Sequence, residues 1–105
     1  VAAKHGIMGL TKVTALETAE SGITANSICP GWVRTELVER QIEAKAKEGG
    51  ISVEQAAINL VSDKHPSKKF VTPEQIGKTA LFLCSDAADQ MTGTHMSVDG
   101  GWTAQ

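Results

Sequence analysis

The residues best suited to chemistry lie in a turn that follows a short apolar strand. Residues 23–28 read Ile-Thr-Ala-Asn-Ser-Ile, which is typical of a strand, and residues 29–35 then break into Cys-Pro-Gly-Trp-Val-Arg-Thr. Ligands of α/β sheets bind just beyond the carboxyl ends of the strands, where such turns lie. Gly31 allows a close approach to its backbone because it carries no side chain. The turn predicts the mouth of a cofactor cleft; the alternative is an ordinary turn at a strand end.

The histidines and cysteines do not form a metal or disulfide pattern. His5, His65 and His95 are far apart in sequence and have neither ligand spacing nor a neighbouring carboxylate pattern. Cys29 and Cys84 belong to no CxxC pair. We therefore expect no metal site, and we interpret the cysteines as reduced thiols of a cytoplasmic protein.

Charge and composition narrow the class of protein. A net charge of -2 provides no basic field that would attract nucleic acid or anionic lipid. No apolar run approaches the roughly 20 residues that span a membrane, so we expect a soluble protein with a small-molecule partner. A length of 105 residues with 41% apolar content corresponds to at most one domain. Because the chain opens at Val1 inside a helical pattern, we expect it to be part of a longer protein.

Apolar periodicity predicts six elements. In the first helix Ile7, Leu10, Val13 and Leu16 recur near helical spacing. The predicted elements are a helix over residues 1–20, a strand over 23–28, a helix from 36 to the glycine pair 49–50, a helix from 52, a helix over 72–85 and a strand over 94–98. The order predicts an α/β fold in which the two strands are parallel and joined by a right-handed crossover.

Two capping boxes mark helix starts within the crossover. Ser52 and Gln55 have the spacing of one box, and Thr72 and Gln75 have the spacing of another, with Pro73 suited to the first turn. Two short helices joined by a glycine hinge predict a lid over about residues 36–70. The lysine-rich segment within it is most simply a solvated loop of the lid, although it could steer an acidic substrate.

Three segments, in order and spacing, resemble the carboxy-terminal part of the short-chain dehydrogenase/reductase family. Lys4 stands where the family has the lysine that follows its catalytic tyrosine by four positions. Residues 30–35 resemble the family's Pro-Gly-x-Val-x-Thr turn, and Val-Asp-Gly-Gly at 98–101 resembles its final strand. The resemblance implies the carboxy-terminal portion of a Rossmann-type doubly wound parallel sheet with an inserted helical lid. Residues 1–105 would then be a partial domain whose amino-terminal half is absent.

The resemblance also implies roles in binding NAD. Lys4 would bond the nicotinamide ribose and lower the pKa of the catalytic tyrosine, because a cation stabilises the neighbouring phenolate. Pro30 and Gly31 would bring the backbone to the nicotinamide, Val33 would meet its carboxamide, and Thr35 would meet the phosphate side. From composition alone, an exposed lysine on a helix surface would be the simpler interpretation of Lys4.

A narrower likeness concerns the substrate. Trp32, Gln41 and Trp102 together resemble the substrate pocket of bacterial D-3-hydroxybutyrate dehydrogenases within that family. There, Gln41 would donate a hydrogen bond to the substrate carboxylate, and the two tryptophans would enclose a small methyl-ended acid. Taken singly, a tryptophan at a strand end is often a core residue, and a glutamine on a helix is usually solvated.

Other functions of the whole protein remain open at this point. A 3-oxoacyl thioester or another secondary alcohol could be the substrate, and an inert packing or oligomerisation module is an alternative of another class. The sequence contains no tyrosine, and neither glycine pair follows a strand and opens a helix as phosphate binding requires. We therefore expect the 105-residue chain alone to be inactive. The resemblance implies that the complete protein is a homotetramer, as family members are.

Overall fold

The computed structural model describes all residues, 1–105, as an α/β chain of four α-helices and two strands. In chain order the elements are α1 (Ala2–Glu17), β1 (Ser27–Pro30), α2 (Glu36–Gly49), α3 (Val53–Lys64), α4 (Pro73–Leu83) and β2 (His95–Val98). Short 3₁₀ turns follow α4 and β2, at Asp86–Ala88 and Trp102–Ala104. This order confirms the predicted α/β class.

The two strands pair in parallel, and the helices between them supply the long crossover that parallel strands need. The Ser27 N–H donates to the Thr94 carbonyl at 2.9 Å, and the Gly31 N–H donates to the Val98 carbonyl at 2.9 Å. Residue numbers therefore rise in the same direction along both strands. The chain forms two compact units, of which the first is Val1–Cys29 with Gly77–Met96.

The prediction that β1 begins at residue 23 is wrong, because side chains replace the ladder there. Asn26 donates from its amide to the Met91 carbonyl at 2.8 Å and accepts from the Thr94 N–H at 3.2 Å. The Ala25 N–H donates to the Thr92 hydroxyl at 3.1 Å. A regular ladder therefore starts only at Ser27. It ends at Pro30, which has no N–H to donate to a ladder and is therefore confined to positions such as a strand end.

In the first unit, α1 leaves its apolar stripe exposed. Ile7, Leu10 and Leu16 are 61%, 65% and 80% exposed, and Ala15 is the helix residue that is buried. A hydrogen bond of 2.8 Å between the hydroxyls of Thr11 and Ser27 connects α1 to β1. The helix ends at Glu17 rather than at the predicted residue 20. Like the other helices, it lacks the combination of length and apolarity needed to cross a membrane.

The second unit, Pro30–Ile76 with Ser97–Gln105, is built on the pairing of α2 with α3. Its core lies between these helices and consists of Val38, Ile42, Ala46, Ala56 and Ala57. The small alanines let the helices pack closely, and three larger, partly buried side chains pack against this core: Trp32, Leu60 and Phe70.

The predicted helix starts in the second unit are confirmed by their hydrogen bonds. The Gln75 N–H donates to the Thr72 hydroxyl at 3.1 Å, and the Gln75 side chain accepts from the Thr72 N–H at 2.9 Å, which closes the capping box. At α3 only half of the box forms. The Gln55 N–H donates to the Ser52 hydroxyl at 3.1 Å, but the Gln55 amide turns to Asn59 instead.

Candidate active site

The predicted turn after β1 is held by backbone bonds on both sides. Gly31 is bonded to β2, and the Trp32 carbonyl accepts from the Val71 N–H at 2.9 Å. Val33 and Val71 form an isolated parallel bridge. Pro30 is exposed, whereas Gly31, Trp32 and Val33 are half-buried. The turn is therefore a fixed part of the second unit.

Glycine at position 31 is required by a neighbouring side chain. A Cβ added there would strike His65 Nε2, would lie 2.8 Å from His65 Cε1, and would lie 2.9 Å from the Asp99 Cα. Gly100 meets the same ring, because a Cβ there would lie 2.7 Å from His65 Nδ1. Both glycines therefore lie against the His65 ring, and Gly100 also lies against the Ser67 hydroxyl.

His65 is a buried residue that sequence reasoning missed. Its side chain is 0% exposed, although the polar loop around it predicted a solvated position. Nε2 lies 2.8 Å from the Trp32 N–H, and Nδ1 lies 2.8 Å from the Lys69 carbonyl. A backbone N–H can only donate and a carbonyl can only accept, so the ring is neutral with its proton on Nδ1. No local pattern signals this role, because both partners are backbone groups.

The structure brings two predicted substrate residues together. The rings of Trp32 and Trp102 stack with centroids 6.3 Å apart and planes at 25°. His65 lies against Trp102, with ring centroids 6.1 Å apart at 48°. A molecule sandwiched between two rings needs about 7 Å, twice the usual carbon–carbon contact of about 3.5 Å. The tryptophans therefore form one continuous surface, which we call the aromatic wall, rather than two opposing walls.

The indole N–H of Trp32 is buried without an acceptor. Nε1 has no hydrogen-bond partner, although the ring packs against the core between α2 and α3. Leaving a buried donor unpaired costs about 1–3 kcal/mol, so such donors usually have a partner. This N–H is a polar group on the aromatic wall that a ligand or another part of a longer protein can pair.

Two donors at the end of the turn are available to a ligand. In the bridge to Val71 the bonded carbonyl belongs to Trp32, so the Val33 N–H faces away from Val71 and remains available to a carboxamide oxygen. The Thr35 hydroxyl accepts from the Val38 N–H at 3.3 Å, which caps α2 and leaves the hydroxyl proton free to donate to an anionic oxygen.

The two remaining predicted residues are exposed. Gln41 lies on α2 next to the buried Ile42, and its amide makes no hydrogen bond within the chain. Lys4 lies in the first turn of α1, in the first unit. Their functional roles stay predictions.

Arg34 connects the starts of α2 and α3. Its guanidinium donates to both carboxylate oxygens of Glu39, at 2.7 and 3.1 Å, and to Glu54 at 3.1 Å. The hydrogen bonds from Arg34 lower the pKa of Glu39 below its ordinary value. Arg34 also lies 5.8 Å from the centroid of the Phe70 ring. Its charge is matched within the unit, so we interpret Arg34 as structural.

Asp99 organises the turn that carries Trp102. Its carboxylate accepts from the Thr103 hydroxyl at 2.6 Å, from the Thr103 N–H at 3.1 Å and from the Gly101 N–H at 3.1 Å. These hydrogen bonds, that of the Thr103 hydroxyl first, lower the pKa of Asp99 below its ordinary value. An Asp before Gly-Gly commonly bonds the backbone of its own turn, and Asp99 does so here.

Asp99→Asn is expected to lower the free energy of unfolding of the full-length protein by about 1–2 kcal/mol at neutral pH, because charge-assisted bonds are lost. A lowered pKa in the folded state means that the stabilisation is complete above the unfolded value of about 3.9 and disappears as the pH falls through the folded value. Urea denaturation of wild type and variant between pH 7 and pH 3 measures this. A stability difference that does not shrink on acidification would contradict the prediction.

A cleft of about 380 Å³ lies elsewhere in the second unit. Its lining comes from α2, α3 and their connection: Lys45, Ile51, Ala56, Asn59, Leu60 and Asp63. It contains none of the predicted site residues and no cluster of metal-ligating side chains. The turn after β1 is the better candidate because it combines unpaired donors with the aromatic wall.

The chain is similar to known dehydrogenases over its whole length. The chain is 61% identical over all 105 residues to a D-beta-hydroxybutyrate dehydrogenase of Cupriavidus necator, and 60% identical to one of Rhizobium meliloti. It spans 41% of the length of each of these relatives.

Solved structures match the fold over almost the whole chain. A short chain dehydrogenase family protein from Francisella tularensis superposes with a TM-score of 0.90 at 36% identity, over 99% of this chain and 43% of the other. A 4-hydroxyisoleucine dehydrogenase complexed with NADH gives 0.82 at 35% identity, over 99% and 39%. A family model described as enoyl-(acyl carrier protein) reductase matches residues 1–103. The chain therefore belongs to the short-chain dehydrogenase/reductase family of oxidoreductases.

Proposed function

We propose that this chain is the carboxy-terminal part of an NAD-dependent enzyme that interconverts D-3-hydroxybutyrate and acetoacetate. The observation that carries the proposal is the identity of about 60% to two D-beta-hydroxybutyrate dehydrogenases, which extends over every residue of the chain. We also propose a cytoplasmic homotetramer. The exposed apolar residues of α1 supply a surface that a longer protein or an assembly can cover.

The aromatic wall supports a small substrate with an apolar end. Trp32 and Trp102 present continuous ring surface, which suits the methyl group of a four-carbon acid. The unpaired amide of Gln41 supplies a donor for the carboxylate, and the unpaired Trp32 indole N–H is a second donor in the same unit. One apolar surface with a few donors is what a short hydroxy acid needs.

The cofactor proposal rests on the donors of the turn and on Lys4. When bound, a nicotinamide dinucleotide accepts the hydride from C3 of the hydroxy acid. The Val33 N–H would hold the carboxamide and the Thr35 hydroxyl would hold the phosphate side, with Pro30 and Gly31 shaping the backbone between them. Lys4 would bond the ribose and stabilise the anion of the tyrosine that takes the hydroxyl proton. That tyrosine would belong to the part of the protein that precedes this chain.

Turnover by the full-length protein that carries this chain tests the proposal. Purified protein is expected to reduce NAD with D-3-hydroxybutyrate and to oxidise NADH with acetoacetate, and to do so less efficiently with NADP. The enantiomer, L-3-hydroxybutyrate, is the matched control. A full-length protein that is folded but neither oxidises D-3-hydroxybutyrate nor reduces acetoacetate would overturn the proposal.

A second candidate is reduction of a 3-oxoacyl thioester. The family model that matches residues 1–103 is named for an enoyl-(acyl carrier protein) reductase, which favours a thioester as substrate although the bond that such an enzyme reduces is a carbon–carbon double bond. The two candidates differ at the carboxyl end, because a thioester has no anion for Gln41 to bind. A higher kcat/KM for an acetoacetyl thioester than for acetoacetate would select the second candidate.

Gln41→Ala in the full-length protein is expected to lower kcat/KM for D-3-hydroxybutyrate about 10- to 100-fold, because a hydrogen bond to a charged acceptor contributes about 1.5–3 kcal/mol. Gln41→Glu should lose more, since its carboxylate would repel that of the substrate. Steady-state kinetics measure both, and Glu43→Ala, at another exposed position of α2, is the control. An unchanged kcat/KM in Gln41→Ala would remove Gln41 from the site.

A further inference from the structure

We infer that His65 is a positioning residue that sets the aromatic wall and thereby the length of the acid that the site accepts. This inference rests on the proposed function, because it concerns which hydroxy acids fit. His65 would touch neither substrate nor cofactor. It would act through Trp32 and Trp102, which it joins in the second unit.

The first support is that His65 holds the backbone from which Trp32 projects. Its Nε2 accepts the Trp32 N–H at 2.8 Å, in the middle of the turn after β1. A ring with no exposed surface and with bonds on both nitrogens has one orientation. Its Nε2 is therefore a fixed acceptor rather than an adaptable surface group.

The second support is that the His65 ring also contacts the Trp102 ring. The two rings lie 6.1 Å apart at 48°, and Trp102 in turn stacks on Trp32. The three rings are therefore contiguous. The imidazole contacts the Trp102 ring and is hydrogen-bonded to the backbone of Trp32. Moving the imidazole would shift both parts of the wall.

The third support is the space cleared for the ring. Gly31 and Gly100 each lie so close to the imidazole that a Cβ at either position would collide with it. These glycines belong to the two segments that carry Trp32 and Trp102. The imidazole therefore packs directly against the backbone of both segments, which makes it a spacer between them.

The contrasting interpretation is that His65 only stabilises its own loop through Lys69. Two substitutions separate these roles, because each retains the hydrogen bond that one of the two ring nitrogens makes. His65→Gln places an amide oxygen near the position of Nε2 and can still accept the Trp32 N–H. His65→Asn places an amide near Nδ1, so it can still donate to the Lys69 carbonyl but cannot reach Trp32.

The test measures kinetics of the full-length wild type and of both variants with D-3-hydroxybutyrate and D-3-hydroxyhexanoate. We expect His65→Asn to lose about 10- to 100-fold in kcat/KM for the shorter acid, mainly through KM, and to discriminate less against the longer one. His65→Gln should stay within about threefold of wild type in kcat/KM for the shorter acid and in KM for NAD. Equal losses in the two variants, or unchanged chain-length discrimination in His65→Asn, would overturn the inference.

A spectroscopic measurement tests the wall without any turnover. Stacked indoles give an exciton couplet in far-ultraviolet circular dichroism, and Trp102→Phe identifies the couplet that belongs to this pair. We expect His65→Asn to lose that couplet and His65→Gln to keep it. A couplet retained in His65→Asn would overturn the inference, whatever the activity. Should His65→Asn fail to fold, His65→Met fills the space without an acceptor, and the same results are expected of it.

The two proposals fail in different ways. A wild-type protein that does not turn over D-3-hydroxybutyrate contradicts the proposed function, and with it the statement about acid length. A wild type that does turn it over, with a couplet and a chain-length preference that His65→Asn leaves intact, contradicts only the positioning role.

Discussion

Gly31→Ala is expected to destabilise the full-length protein by about 1–3 kcal/mol and to lower kcat/KM for D-3-hydroxybutyrate by about 100-fold. The added methyl group would collide with the His65 ring and would lie 2.9 Å from the Asp99 Cα. One neighbour is backbone and the other is a fully buried ring, so neither can move cheaply. Relief would come from displacing the turn, and with it Trp32. Urea denaturation and steady-state kinetics measure the two effects.

Gly77→Ala is the matched control for this substitution. Gly77 lies within α4, and a Cβ there meets nothing within 4 Å in this chain. Alanine is favoured over glycine by about 1 kcal/mol in a helix interior, so this variant should be no less stable than wild type. Wild-type stability and activity in Gly31→Ala would mean that the His65 ring is not packed against the turn.

The 105-residue chain, prepared by itself, is expected to form no NADH from D-3-hydroxybutyrate and NAD. It contains no tyrosine to take the hydroxyl proton, and general acid–base catalysis contributes about 10²- to 10⁴-fold to rate. It also has no glycine-rich turn between a strand and a helix to bind a pyrophosphate. One glycine pair instead ends α2 with Gly50 in a left-handed conformation, and the other follows β2.

The absorbance of NADH measures this result, and the full-length protein assayed at equal molar concentration is the control. Circular dichroism of the isolated chain records whether its helices form under the conditions of the assay. NADH formation by the isolated chain above the rate without protein would contradict the prediction. It would mean that proton transfer and cofactor binding do not require residues beyond the 105.

The helices could be predicted because their signals are local. The Thr72–Gln75 capping box forms as its spacing indicates, and its atoms lie within one helical turn. Gly50 ends α2 in the left-handed conformation that glycine adopts at low cost. The start of β1 was predicted wrongly because it depends on Asn26, whose amide bonds residues 65 and 68 positions away. No local pattern contains that information.

The sequence by itself determined the order of helices and strands, the capped starts of α3 and α4, and the turn that carries Trp32, because each depends on neighbouring residues. It also placed the substrate and cofactor candidates through the family motifs. Only the tertiary structure decided that Trp32 and Trp102 form a single wall and that His65 is buried between Gly31 and Gly100. Those contacts join residues more than thirty positions apart. His65, a polar residue in a lysine-rich loop, is buried because the backbone of Lys69 in its own loop and the backbone of the distant Trp32 pair its two ring nitrogens, which offsets the cost of removing them from water.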